Sequence, residues 1–351
     1  MENKIFGFDY AKIIAASFLV FHHYQQVFEC QFSGINFYGG KIEFGLLVEL
    51  FFTISGFLTM YSEQRQMSVR GGQRLLHKIS RIYPMVFLST LVCLLLKTGI
   101  QIVSEGRLTE LWNVKTLVAN FGLLFAGYPY FGMLGINNPV WYVCILVQCY
   151  IMYYLIEWLL NKVSANEINF VRVCVYAVVV IISFGTFRMG FLNGASFRGV
   201  TSFSIGVLIC IGNKILRDRN IINDNNSKYI GLISLVLTLA LCGVVFLEIN
   251  QRWVLQYLVF PALVFGLINL NIEAPKVISK LGNISFEVYV FHYPLMVLIQ
   301  LISEITCFYI THSYLTMVLF LVFVWIGAWL MWNYLDLPLR RKMRELEKRY
   351  E

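Results

Sequence analysis

Charge is scarce in this sequence. Of its 351 residues only 14% are Asp, Glu, Lys or Arg, and 58% are hydrophobic, whereas a soluble domain carries about 25% charged residues. A single soluble globule is therefore excluded. With 7 prolines and 25 glycines the chain is neither collagen-like nor low in complexity, and no Ser/Pro/Gly-rich linker or internal repeat divides it. The eight cysteines form no C-x-x-C pair, and most sit inside apolar runs, where a thiol is a small core filler with no metal or redox signal. H-E-x-x-H, G-x-S-x-G and G-x-G-x-x-G are all missing, which removes support for zincin, α/β-hydrolase and dinucleotide-binding readings. The net charge of +8 does not call for nucleic acid, because cytoplasmic loops of membrane proteins carry excess Lys and Arg in any case.

What is present is a succession of apolar runs near residues 8–28, 42–61, 79–100, 139–160, 170–187, 199–216, 229–248, 253–271, 282–302 and 313–335. A helix needs about 20 apolar residues to cross a bilayer, so these read as ten spans of an all-α polytopic bundle forming one integral-membrane domain, 1–351. The stretch 116–127 is too short to cross and reads as a re-entrant or interfacial piece. The first run has signal-peptide length, yet no small-residue cleavage site follows and His22-His23 interrupts it, so it reads as a retained span. With ten spans and the N-terminus inside, 21 of the 28 Lys and Arg residues fall on the cytoplasmic side. An eleventh span would move the basic tail RRKMRELEKRY outside and break that bias. The expectation is a cytoplasmic (inner) membrane protein with both termini in the cytoplasm.

Ionisable groups inside spans are costly, at least about 2.5–3.5 kcal/mol on insertion scales, and so are functional candidates. The first span carries Asp9, Lys12, His22 and His23. Asp9 and Lys12, three apart, can pair. Lys12 and His23 share a face but lie ~16 Å apart along the axis, so they cannot touch. Lys12 is placed near the cytoplasmic mouth and His23 toward the outer end; the bland alternative is a snorkelling lysine and interfacial histidines. Between the second and third spans, Arg65, Arg70, Arg74, His77, Lys78 and Arg81 surround Gly71-Gly72. Arg74, Lys78 and Arg81 recur on one helical face, suited either to a phosphorylated ligand or to inner-leaflet lipid. Further exceptions are Glu49, Arg198, Glu287 and His292. Trp141 and Tyr142 belong to an aromatic group that reads equally well as an interfacial belt.

Taken in order, these motifs resemble the membrane-bound acyltransferase 3 family, which includes bacterial polysaccharide O-acetyltransferases. FDYAKIIAASFLVFHH resembles its first span, with the family's key histidine falling on His23 and His22 preceding it. VELFFTISGF (Val48 to Phe57) is close to its second-span signature and KISRIYP (Lys78 to Pro84) to its basic third-span entry. WYVCILVQCY, FRGVTSFSIGVLI with Arg198, LGNISFEVYVFHYPLM with His292, and LDLPLRR resemble its later signatures. The resemblance runs from residue 9 to residue 341. Lys12 and Lys78 stand where the family usually has arginines, which keeps the charge and loses the planar fork. Gln148 stands where some members carry Glu.

The resemblance implies transfer of an acyl group, most simply acetyl, from cytoplasmic acyl-CoA to a hydroxyl of an envelope or extracellular polysaccharide or its lipid-linked precursor. It places His23, His22 and His292 as catalytic candidates and Lys12, Arg74, Lys78 and Arg81 as acyl-CoA-binding residues. Arg198, Trp141, Tyr142 and Glu49 become candidates for oxyanion or acceptor contacts. Histidine, with an unperturbed pKa of about 6.5, is the side chain suited to deprotonate the acceptor at neutral pH or to carry the acyl group. Partners would be acyl-CoA, the glycan and membrane lipid, with no permanently bound cofactor, no metal and no nucleic acid. Ser55 and Gly56 are expected to allow close helix packing. The alternative classes are a lipid-linked sugar transporter or polymerase, whose marks (inverted repeats, paired broken helices, a large outer loop) are missing, and a non-catalytic sensor on the same scaffold.

Overall fold

The structure, a computed structural model, describes residues 4–63, 71–106, 110–127, 135–160, 163–164, 167–184, 193–245 and 251–350. Arg65, Arg70 and the C-terminal ends of the expected 170–187 and 229–248 segments lie outside these residues. Among the described residues every regular element is helical. The order is α1 (Gly7–Val27), α2 (Leu47–Glu63), α3 (Gly71–Glu105), α4 (Val114–Phe121), α5 (Trp141–Leu160), α6 (Ile168–Phe184), α7 (Gly194–Asp218) and α8 (Ser227–Val245). Then α9 (Gln251–Val254) runs through a π-turn, Leu255–Val259, into α10 (Phe260–Asn269), followed by α11 (Lys276–Thr306). Finally α12 (Tyr314–Met331) runs through a second π-turn, Trp332–Asp336, into α13 (Leu337–Tyr350).

Among the described residues eight helical stretches are long and apolar enough to cross a membrane, and Ile168–Ser183 is a shorter apolar one. Adding α1, 21 residues long but carrying Asp9, Lys12, His22 and His23, gives one helix for each of the ten runs read from the sequence. α4, with 8 residues, is too short to cross. Tyr83 donates to the Phe121 carbonyl at its end, 3.0 Å away, so the segment folds back on α3.

Side-chain contacts fix the directions. α1 and α11 are parallel, since Asp9 faces Gly282 and His23 faces His292. α2 and α7 are parallel, with Glu49 on Arg198 and Gly56 on Phe203. α12 runs against α1, Trp325 Nε1 donating to Ser17 Oγ at 3.2 Å while Tyr24 meets Thr316. These directions are those a strictly alternating ten-span path requires. α2 and α7 approach so closely that a Cβ at Gly56 would be driven into the Phe203 carbonyl, and one at Gly206 into that of Thr53. Small residues let helix backbones meet in this way where lipid gives helices no hydrophobic reason to associate. The packing role expected of Gly56 is thus realised, and the pair sets the α2–α7 spacing on which the Glu49–Arg198 contact depends.

Candidate active site

α1 and α11 each place a histidine at one level of the bundle. His23 Nδ1 lies 3.1 Å from His292 Nε2, with ring centroids 4.9 Å apart, and both side chains are buried. His292 Nδ1 is 3.2 Å from the Val288 carbonyl one turn back. A carbonyl only accepts, so His292 Nδ1 carries the proton and, in the neutral ring, Nε2 is the acceptor. The His23 proton is then on Nδ1, donated to His292, and His23 Nε2 keeps its lone pair. The chain of bonds fixes the tautomer of His23, the role a partner group plays for many working histidines.

The H-x-P motif around His292 has a local reason. Pro294 lacks an N–H and cannot bond the Val290 carbonyl four residues earlier. Asn137 Nδ2 donates to that carbonyl instead, at 3.1 Å, and lies 3.2 Å from Ser89 Oγ. A freed carbonyl inside a span has to be re-satisfied by a neighbour, so Asn137 anchors the stretch of α11 that carries His292.

The segment after α1 covers this end. Gln25 Oε1 accepts from the Phe37 and Tyr38 amides at 2.5 and 3.2 Å, and its Nε2 donates to Asn36 Oδ1 at 2.9 Å. His22 Nδ1 donates to the Phe37 carbonyl at 2.8 Å, with Glu43 Oε1 3.7 Å away. His22 stands edge-on to His23, centroids 5.1 Å apart, and makes its polar contacts with the covering segment instead of the pair. Beside the pair is an aromatic layer: Tyr289 lies 5.9 Å from His292 and 5.4 Å from Tyr142, centroid to centroid. The Tyr142 hydroxyl meets Ser55 Oγ at 3.3 Å.

Glu49, Arg198 and Trp141 come together as a second cluster. Arg198 Nε donates to Glu49 Oε1 at 2.7 Å, and its guanidinium lies 5.2 Å from the Trp141 ring centroid. Glu49 is 1% exposed, and Arg252 lies within electrostatic reach of it as well. The Arg198 carbonyl and Ser202 Oγ accept from Gln256 Nε2, at 3.0 and 2.9 Å, a side chain turned inward by the π-turn between α9 and α10. No hydrogen bond links Arg198 to the histidine pair among the described residues.

Positive charge gathers toward the other end of α1. Asp9 is buried and pairs with Lys4 at 2.8 Å and Lys12 at 3.7 Å. Arg81 lies within electrostatic reach of Lys12 and of Lys78. Lys78 Nζ is 3.3 Å from Thr59 Oγ1 and 5.0 Å from the Tyr150 ring centroid. Arg74, on the same face of α3, is bonded to Glu63, which also accepts from the Tyr154 hydroxyl at 3.0 Å. The expected row is therefore split: Arg81 lies within reach of both Lys12 and Lys78, while Arg74 ties α3 to the end of α2. Among the described residues no cluster of His, Cys, Asp and Glu could hold a metal ion, and Cys30 and Cys307 are free thiols.

A family model described as an acyltransferase domain, acyltransferase 3, matches residues 5–333. The chain belongs to the acyltransferase 3 family. No curated protein and no solved structure matches it. As a member of that family it is a membrane acyltransferase, and its helices carry the expected motifs in the order read from the sequence. Sequence reasoning placed His23 and His292 both on the list without seeing their contact, because 269 residues separate them. It missed Asn137 and Gln256 altogether; the available signal was a polar amide just before one apolar run and inside another.

Proposed function

We propose that this acyltransferase moves an acetyl group from cytoplasmic acetyl-CoA to a hydroxyl of an envelope polysaccharide or its lipid-linked precursor, in the inner membrane with both termini in the cytoplasm. The observation that carries the reading is the polarity of α1. A cation cluster around Lys12 lies near one end, and a buried histidine with its lone pair on Nε2 lies ~16 Å further along, a span comparable to an extended phosphopantetheine arm. Positive charge suits the phosphates of CoA, and the covered histidine suits proton transfer away from bulk water.

In this mechanism His23 Nε2 takes the proton of the acceptor hydroxyl as its oxygen attacks the thioester carbonyl. The imidazolium that forms is stabilised by the Nδ1–H bond to His292. The tetrahedral intermediate then collapses, the carbon–sulfur bond breaks, and the CoA thiolate recovers the proton from His23. Arg198 is the candidate for binding the developing oxyanion or the acceptor, with Trp141, Tyr142 and Glu49 shaping its surroundings. A variant route, in which His23 Nε2 itself carries the acyl group, differs in one observable: labelled protein accumulates without acceptor.

The test is transfer of radiolabelled acetyl from acetyl-CoA into glycan by inside-out membrane vesicles, comparing wild type with His23→Ala at matched expression. Label entering glycan only with His23 intact supports the reading. Equal label in both removes His23 from the centre, and no label from several acyl-CoAs refutes the donor.

A further inference from the structure

A cavity of about 770 Å³ opens among the start of the chain, the C-terminal ends of α2 and α7, the start of α8 and the end of α10. None of the sequence motifs singled it out. Its size is that of a small-molecule site. Lys4, Lys214, Arg217 and Lys228 line it, against the two carboxylates Asp218 and Asp224, so positive charge is in excess. One wall is a fixed polar network: Arg217 Nη2 donates to Asn269 Oδ1 at 3.0 Å and to Ser227 Oγ at 3.1 Å, and Asn269 Nδ2 donates to Asn213 Oδ1 at 3.2 Å. Asn269 is buried. Another wall carries the half-buried Tyr61, stacked on the buried Phe57 with ring centroids 5.7 Å apart.

Lys4 belongs to both this cavity and the Asp9–Lys12 cluster. The recess is therefore contiguous with the cation end of α1, on the opposite end from the histidine pair. Cations on a recessed polar wall beside an aromatic face are the chemistry that recognises a nucleotide: charge-assisted bonds for phosphate and a flat surface for a purine. We infer that this cavity holds the adenosine 3′,5′-bisphosphate end of the acyl donor, so that CoA enters between α1, α2, α7 and α8 and its pantetheine arm runs along α1 toward His23. The inference rests on the acyl-CoA reading proposed above. A lipid headgroup offers the same phosphate, and the test separates the two.

The experiment measures binding of radiolabelled adenosine 3′,5′-bisphosphate to the purified full chain in phosphatidylcholine nanodiscs, together with KM and kcat for acetyl-CoA. Lys214 and Lys228 are exposed, so the Lys214→Glu/Lys228→Glu double variant keeps the fold; Lys214→Gln/Lys228→Gln is its milder counterpart, and Arg219→Glu, outside the cavity, is the control. The inference expects the double variant to weaken the nucleotide by about tenfold or more and to raise KM for acetyl-CoA with a much smaller change in kcat, the control behaving as wild type. It also expects wild type to prefer acetyl-CoA over its 3′-dephospho form, and that preference to shrink in the double variant. Unchanged nucleotide binding and KM in both double variants overturn the cavity and leave the donor reading standing. Loss of nucleotide binding by wild type when phosphatidylglycerol is added assigns the recess to lipid and overturns it as well. Absence of any CoA binding or acetyl transfer by wild type overturns the donor reading and this inference with it.

Discussion

Arg340 closes the chain onto α11, and its removal has a calculable consequence. The π-turn at Trp332–Asp336 turns Asp336 inward, where it pairs with Arg340 one turn later, and the guanidinium also lies 3.7 Å from Glu287 on α11. The three side chains are 10%, 1% and 0% exposed for Arg340, Asp336 and Glu287 respectively, and the Glu287 carboxyl lies within hydrogen-bond reach of Asp336. Replacing Arg340 by Met keeps volume and leaves two buried carboxyls facing each other without a cation. Breaking a buried pair costs about 3–5 kcal/mol because the surviving charge is stranded, and two carboxyls this close share one proton, so the change strands a single charge. With each kcal/mol worth roughly 2 °C in a chain of this size, the midpoint should fall by about 6–10 °C. The assay is size-exclusion chromatography of detergent-solubilised protein after graded heating. The mechanism also dictates a rescue: adding Glu287→Gln and Asp336→Asn to Arg340→Met removes the stranded charge and should restore more than half of the loss. Arg340→Met melting within about 1 °C of wild type, or a triple variant less stable than the single one, would refute the reasoning.

Two further outcomes follow from the histidine pair and its support. Replacing His292 by Phe removes the ring nitrogen that faces His23 Nδ1 and leaves the Leu19 carbonyl one turn back, so kcat for acetyl transfer should drop by about 10²–10⁴ with KM for the donor nearly unchanged; His292→Gln, whose amide oxygen accepts from His23 Nδ1–H, should recover part of that loss, as steady-state kinetics on both variants will show. Asn137→Leu orphans the Val290 carbonyl and should cost about 1–3 kcal/mol in thermal stability, but much less in a Pro294→Ala background, where the restored amide bonds that carbonyl, an interaction a double-mutant cycle reads directly.

The parts of the molecule legible in the sequence are those where the bilayer constrains local composition. Ten apolar runs gave ten helices because a span must be apolar over its own length, whatever it packs against. The basic and acidic exceptions stood out for the same reason, and Asp9–Lys12 was readable because three residues bring two side chains onto one helical face. Nothing local told that Arg74 would be held by Glu63 while Lys78 settled against Thr59 and Tyr150. The lining of the cavity was hidden differently: Lys214, Arg217 and Lys228 fall in segments the sequence reading assigns to the cytoplasmic side, where basic residues are expected by default, so their charge carried no surprise.

Gln148 shows what the structure adds to a departure from a family pattern. At the position where some relatives carry a carboxylate, this chain has an amide, which removes any acid or base role there. The geometry supplies another reason for it. Gln148 Nε2 donates to the Ala126 carbonyl at 3.3 Å, and its Oε1 accepts from Ser196 Oγ at 2.8 Å, joining α5 both to the turn after α4 and to the start of α7. A glutamate could accept from Ser196 but, ionised, could not donate to Ala126; it would set a carboxylate against a carbonyl in a half-buried place. The amide is thus the side chain this junction requires. The mechanism proposed above accordingly asks nothing of Gln148 and assigns the acid–base work to the histidine pair, where the bonds around it leave His23 Nε2 with its lone pair.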